Sequence, residues 1–299
     1  MDKWSDKQSV LLYFSRYRLG KTAESKPFSL SSNIANKPIG LFDSGVGGLT
    51  VASAIKQILP GESLIYFGDT AHLPYGDKSA ESIISYSRRI TQFLLDHNVK
   101  VVLVACNSAS ASAYDTLNNE FGDKVLLIDV IEPVIKYISG STHKKVGVIG
   151  TKRTITSGTY EKRFGEQSPG KEIFSLATPL LVPMIEEGFV FDDISNAIIR
   201  TYLSDKVLCN IDALVLGCTH YPIIRNQITK FFNFEVEVVD SAKVVAAELR
   251  TMLEKNNMLN SGKAVKDSFF VSDYTAYFEK IAKVFFEGDI NLTRIDIWK

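Results

Sequence analysis

The sequence predicts an α/β protein of two pseudo-symmetric parallel-sheet halves facing across a cleft. Three observations predict it. Short apolar, β-branched runs recur without alternation, as in Val101–Val104 and Ala213–Leu216, which is the pattern of central strands covered on both faces. Each run ends in a polar tip followed by a segment able to form a helix, the order expected of α/β folds. The tips also repeat: Gly150 follows Asp43 by 107 residues and Cys218 follows Cys106 by 112. Each half therefore runs strand, polar tip and later strand, cysteine tip, with chance likeness among apolar strands as the competing account.

Composition narrows the classes of function. In 299 residues, 45% are hydrophobic, ample for a real core. Lys plus Arg and Asp plus Glu both total 34, so no overall field recruits nucleic acid or an anionic membrane. No apolar run approaches the roughly 18 residues of a membrane span. Val10–Phe14 is shorter than the about 7–15 residues of a signal-peptide core. Three cysteines form no disulfide framework, and reduced thiols in the cytoplasm are expected.

In chain order, residues 1–37 carry seven basic and three acidic side chains and drift into a Ser/Asn-rich stretch before Pro38. They read as a flexible extension or an upstream start, or else as a docking helix around Ser9–Gly20. Ile39–Phe42 is the first strand, and its tip, Asp43-Ser44-Gly45-Val46-Gly47-Gly48, leads into a helix over Val51–Leu59. GVGGLT lacks the third glycine of a dinucleotide fingerprint, and no Gly-Lys-Ser/Thr follows for a phosphate loop. Asp43 suits a ligand ammonium or a proton-transfer partner, or serves only as a turn or cap residue.

Leu64–Phe67 is the second strand, with Gly68-Asp69-Thr70 and the loop Pro74-Tyr75-Gly76-Asp77 after it. Ser79 is placed to cap the next helix, whose Ile83, Ile90 and Leu94 share a face. Val101–Val104 runs into Ala105-Cys106-Asn107-Ser108 and small residues, so Cys106 falls at the carboxyl end of a strand, where open α/β sheets hold ligands. The first-turn N–H groups of the following helix are expected to face that thiol and lower its pKa. Val125–Ile128 follows, then a break at Glu132-Pro133.

Val146–Ile149 restarts the series and Ile173–Leu176 continues it. Two prolines and a glycine then make Thr178–Gly188 a stiff loop carrying Glu186 and Glu187. Ala213–Gly217 leads to Cys218-Thr219-His220. Val236–Val239 ends at Asp240-Ser241, where Asp240 can cap the Ala-rich helix that follows. Phe269–Val271, a helix over Tyr274–Phe286 and a strand over Thr293–Ile297 close the chain.

Two strand-end cysteines with one histidine admit four chemistries. A redox disulfide is poorly supported, since the thiols are 112 residues apart and form no Cys-x-x-Cys. A zinc set of Cys106, Cys218 and His220 lacks closely spaced ligand pairs. A Cys-His nucleophile for acyl transfer leaves one thiol unused. Two thiols on opposite faces of a carbon acid use both, one as base and one as acid, and invert a stereocentre. Cys209, which precedes a strand and is not at its tip, reads as a buried structural residue. His72, His97 and His143 read as solvated, whereas His220 lies within reach of a thiol.

FDSGVGGLTV, GDTAHLPYGDKS, ACNSASA, LVPMIEEG and LGCTHYP, in this order, resemble the cofactor-independent aspartate/glutamate racemase superfamily and within it the glutamate racemases. The likeness runs from Pro38 to the closing FFVSD and helix. It implies catalytic thiols at Cys106 and Cys218, with Asp43 assisting the first and His220 and Glu186 the second. It further implies substrate contacts from Asp43 and Ser44, Tyr75 and Gly76, Asn107 and Ser108, and Thr219 and His220. Ser108 replaces the family's usual threonine and keeps the hydroxyl.

The resemblance also implies L- and D-glutamate as substrates, D-glutamate supply for peptidoglycan, no cofactor or metal, and a homodimer. Domains are expected at 38–131 plus 242–299 and at 132–241. The alternatives are an aspartate or other amino-acid racemase and, from another class, a non-enzymatic metal- or ligand-binding protein.

Overall fold

The computed structural model describes residues 34–262 and 265–299. The expectations for residues 1–33 lie outside the described residues. The first half runs β1 (Ile39–Asp43), α1 (Leu49–Ile58), β2 (Leu64–Gly68), α2 (Ala80–Asp96), β3 (Val101–Val104), α3 (Asn107–Phe121) and β4 (Leu126–Asp129). The second runs α4 (Glu132–Ser139), β5 (Lys145–Gly150), α5 (Lys152–Thr156), α6 (Thr159–Gln167), β6 (Glu172–Ala177), α7 (Leu181–Glu186) and α8 (Asp193–Leu203). It continues through β7 (Ala213–Gly217), α9 (Arg225–Phe231) and β8 (Glu237–Val239). After α10 (Ser241–Lys255) the chain rejoins the first sheet with β9 (Ser268–Val271), α11 (Ala276–Phe285) and β10 (Leu292–Arg294).

Both sheets are wholly parallel. Their strand orders are β10-β9-β2-β1-β3-β4 and β6-β5-β7-β8, so β2-β1-β3-β4 has its counterpart strand by strand in the second sheet. Register carries the duplication further. Ile39 pairs with Val101 and Phe42 with Val104, while Val146 pairs with Ala213 and Ile149 with Leu216. These are the 107- and 112-residue offsets seen in the sequence, which places Cys106 and Cys218 at equivalent tips.

The central strands β1, β3 and β7 are buried along their whole length, as their unbroken apolar runs require. Edge strand β6 is partly open. One apolar layer passes from Ile39 and Leu41 through Leu49 and Ile55 of α1 and Val245 and Leu249 of α10 to Leu214 and Leu216. A single continuous core thus joins the two sheets on the side where α1 and α10 pack together. At the far end of the first sheet, buried Lys100 donates to Glu62 Oε2 at 2.5 Å, Ala35 O at 2.6 Å and Met258 O at 2.8 Å.

Several local expectations change. Thr178–Gly188 holds helix α7, because Pro183 sits early enough in it that its missing N–H costs no hydrogen bond. Glu132-Pro133 starts α4 for the same reason. The last strand is shorter and earlier than Thr293–Ile297. Ser79 caps α2 by accepting from Ser82 N, and Asp240 caps α10 by accepting from Ala242 N.

Candidate active site

The first wall is made by the tips of β1 and β3. Parallel pairing puts Asp43 and Ala105 side by side, so the residues that follow, Ser44 and Cys106, share one end of the sheet. Cys106 is the N-cap of α3 and donates its thiol to Ser44 Oγ at 3.7 Å. The expected lowering of its pKa does not prevail. Burial and the neighbouring Asp43 carboxylate push the thiol up to about 12, against the smaller opposite effects of the Ala109 N–H and Ser44.

Asp43 is fully buried, and its Oδ2 accepts from Gly45 N at 3.2 Å and Gly48 N at 3.0 Å. Its Oδ1 has no partner among the described residues. One oxygen thus holds the turn, as one sequence expectation had it, and the other is left without a hydrogen-bond partner among the described residues. Burial raises its pKa, opposed in part by His220.

The second wall begins where β7 ends. Cys218 Sγ lies 3.8 Å from His220 Nδ1, and His220 Nε2 lies 2.9 Å from Glu186 Oε1 at the end of α7. Burial disfavours the imidazolium, but the thiol and the carboxylate outweigh it and push His220 up to about 10. A protonated ring there holds a negative sulfur through a charge-assisted hydrogen bond. Phe285 of α11 meets its face edge-on at 5.1 Å.

The walls are laced together. Thr50 Oγ1 donates to Thr219 O at 2.8 Å, and Ser108 Oγ lies 2.9 Å from Thr151 Oγ1. Tyr160 donates to Asn107 Oδ1 at 2.9 Å, leaving Asn107 Nδ2 without a protein partner among the described residues. Glycine is needed where the tips touch: a Cβ on Gly76 would stand 2.9 Å from Thr151 Cβ. Cys218, Thr219, Asn107 and Ala105 border a cavity of about 10 Å³. That is room for about one water.

All the residues expected at the site, Asp43, Ser44, Tyr75, Gly76, Cys106, Asn107, Ser108, Glu186, Cys218, Thr219 and His220, fall at the facing ends of the two sheets. Cys209 does not join them, and it is exposed where a buried side chain was expected, because it lies in the loop before β7. His72 and His143 are not simply solvated. His72 pairs with Asp69 at 2.9 Å, and His143 pairs with Glu237 at 2.7 Å. Among the described residues no group of three or more His, Cys, Asp or Glu side chains converges as a metal site requires. Cys106, Cys218 and His220 therefore make no such set.

Asp69, Thr151 and Tyr160 escaped the sequence reading. Thr151 was within reach of it, since it stands 107 residues after Ser44. No local signal marks Tyr160, whose partner is 53 residues away.

A sequence profile of the Asp/Glu/Hydantoin racemase family matches residues 47–249. A glutamate racemase of Geobacter metallireducens is 41% identical over 256 residues, 85% of this chain and 94% of that protein. One of Chlorobaculum parvum is 40% identical over 250 residues, 83% and 92% of the two. The crystal structure of glutamate racemase from Francisella tularensis in complex with D-glutamate superposes with a TM-score of 0.82 at 37% identity, covering 88% of this chain and 99% of that one. Sequence and fold agree that the chain is an isomerase belonging to the Asp/Glu/Hydantoin racemase family, among its glutamate racemases.

Proposed function

We propose that the protein interconverts L- and D-glutamate with two thiols acting from opposite faces of the α-carbon, supplying D-glutamate for peptidoglycan. The observation that carries this is the equivalence of Cys106 and Cys218, two buried thiols at matching strand ends of the duplicated sheets. Each has its own proton-handling neighbour: Asp43 and Ser44 beside Cys106, His220 and Glu186 beside Cys218. The two units are domains 38–131 plus 242–299 and 132–241.

In the D to L direction a Cys106 thiolate takes the α-proton, the C–H electron pair remains on the α-carbon, and the Cys218 thiol delivers a proton to the opposite face. The reverse direction exchanges the roles, so no net proton, electron or atom is consumed. An α-proton of so weak an acid demands a base already in place and fixed donors for the developing charge. Burial and the Asp43 carboxylate favour the protonated form of Cys106. The substrate's ammonium, seated against Asp43, offsets the negative charge that opposes ionisation of Cys106. Asn107 Nδ2, Ser44, Ser108, Thr219 and the Tyr75-Gly76 loop contact the carboxylates. No cofactor is required, and the enzyme works in the cytoplasm as a homodimer.

A coupled assay across free amino acids tests the assignment. Rapid equilibration of glutamate, with aspartate and alanine slower by orders of magnitude, is expected. Turnover of aspartate without glutamate would overturn it.

A further inference from the structure

Asp69 is a buried carboxylate that the two-thiol chemistry leaves unused. It is 0% exposed at the tip of β2, and its own N–H donates to Asp43 O at 3.0 Å. Three side chains converge on it. Tyr75 donates to Oδ2 at 2.7 Å, Ser272 donates to Oδ1 at 2.8 Å, and His72 Nδ1 lies 2.9 Å from Oδ1 and 3.0 Å from Oδ2. Ser272 Oγ also accepts from Ala71 N, and Thr70 exchanges two hydrogen bonds with Asp273. The GDT segment after β2 and the SD pair after β9, about 200 residues apart, are thus clamped together around one carboxylate.

The clamp leads directly to the site. Tyr75 is 1% exposed, and beyond it Gly76 packs on Thr151 of the opposite half. From outside, His72 stacks on Tyr86 at 4.1 Å and meets Trp298 edge-on at 4.5 Å, so the chain's last residues cover the clamp. The two oxygens of a carboxylate offer about four lone-pair sites, enough for all three groups, whereas an amide in its place has one oxygen with two and turns an NH2 toward the rest.

We infer that Asp69 is a positioning residue that fixes the Tyr75-Gly76 loop against the substrate, with Ser272 and His72 as its supports. The inference rests on the proposed role of that loop in holding glutamate. It implies that the carboxylate acts on binding through the Tyr75 hydroxyl and takes no proton from the α-carbon.

The test is a kinetic cycle of Asp69→Asn, Tyr75→Phe and the double variant, with Glu62→Gln as a stability control at the far end of the sheet. Each single variant should raise KM for glutamate roughly tenfold, the worth of one hydrogen bond to a charged group, with kcat changed less. The double variant should be no worse than the poorer single one, because both remove the same link. Glu62→Gln should lower the thermal midpoint and leave KM in place. Gly76→Val moves the loop independently of Asp69. A raised KM there with unchanged KM in Asp69→Asn and Tyr75→Phe would overturn the role of Asp69 alone. Unchanged KM in all three would overturn both it and the role of the loop. Should Asp69→Asn fail to fold, Tyr75→Phe and Ser272→Ala carry the same comparison.

Discussion

Gly47 and His220 stand so close that a side chain on the first would occupy the ring of the second. A Cβ on Gly47 would lie 2.3 Å from His220 Cε1 and 2.4 Å from Nδ1, the nitrogen that faces Cys218. The glycine-rich tip of β1 is a seat for the histidine of the other sheet, so it shapes protein against protein and cradles no phosphate.

Gly47→Ala should therefore displace His220 without unfolding the chain, since Gly47 needs no left-handed backbone. A shift of about an ångström in a proton-handling group lowers turnover on the order of a hundredfold. Steady-state kinetics beside circular dichroism measures both, and full activity in the variant would contradict the seat.

Replacing either Cys106 or Cys218 by alanine should abolish racemisation, because each direction needs a base and an acid. Cys209→Ala should keep activity, as that thiol is exposed in a loop away from both tips. In heavy water the product should carry deuterium at the α-carbon. A racemising Cys218→Ala, or retention of the α-proton, would replace the facing thiols with another route.

Stability should fall as pH rises from about 6.5 to about 10. His220 is raised across that window, so the folded protein keeps a proton that the unfolded chain has released. Its stabilising effect is complete below the lower value and lost above the upper one. Cys106, raised from 9.0 to about 12, adds the same sign at still higher pH. Thermal midpoints across the window should decline more steeply for the wild type than for His220→Asn, and parallel slopes would refute the assignment.

Tyr160→Phe should leave Asn107 Oδ1 without its donor and free the amide to turn. A loss in kcat/KM of roughly tenfold is expected from one buried hydrogen bond at a binding group. Unaltered kcat/KM would remove Tyr160 from the site.

A chain beginning at Ile34 should keep its activity, since no proposed site residue precedes Asp43. One beginning at Pro38 loses the Ala35 carbonyl that accepts from buried Lys100. That change should cost about 1–3 kcal/mol of stability, read from denaturant unfolding, with kcat unchanged. A loss of kcat in the longer chain would give residues 1–33 a part in the chemistry.

The parallel α/β class, the duplicated plan and both cysteine tips were legible in the linear pattern. Apolar runs such as Val101–Val104 and Ala213–Leu216 specify buried strands locally, and a residue at a strand's carboxyl end is placed by chain order alone. The 107- and 112-residue offsets survive as register because backbone pairing turns residue number into position. Caps at Ser79 and Asp240 were legible for the same reason, since their partners are two or three residues away.

Whatever depends on partners distant in the chain came from the fold. The Cys106 thiol was expected to be lowered by the helix it caps, and it is raised, because burial and Asp43, 63 residues away, exceed the effect of one local N–H. Ser272, just after β9, closes on Asp69 from 203 residues away, and His220 fills the space beside Gly47 from the other sheet. Desolvation and close contact are sums over neighbours in space, and a linear pattern records only the neighbours along the chain.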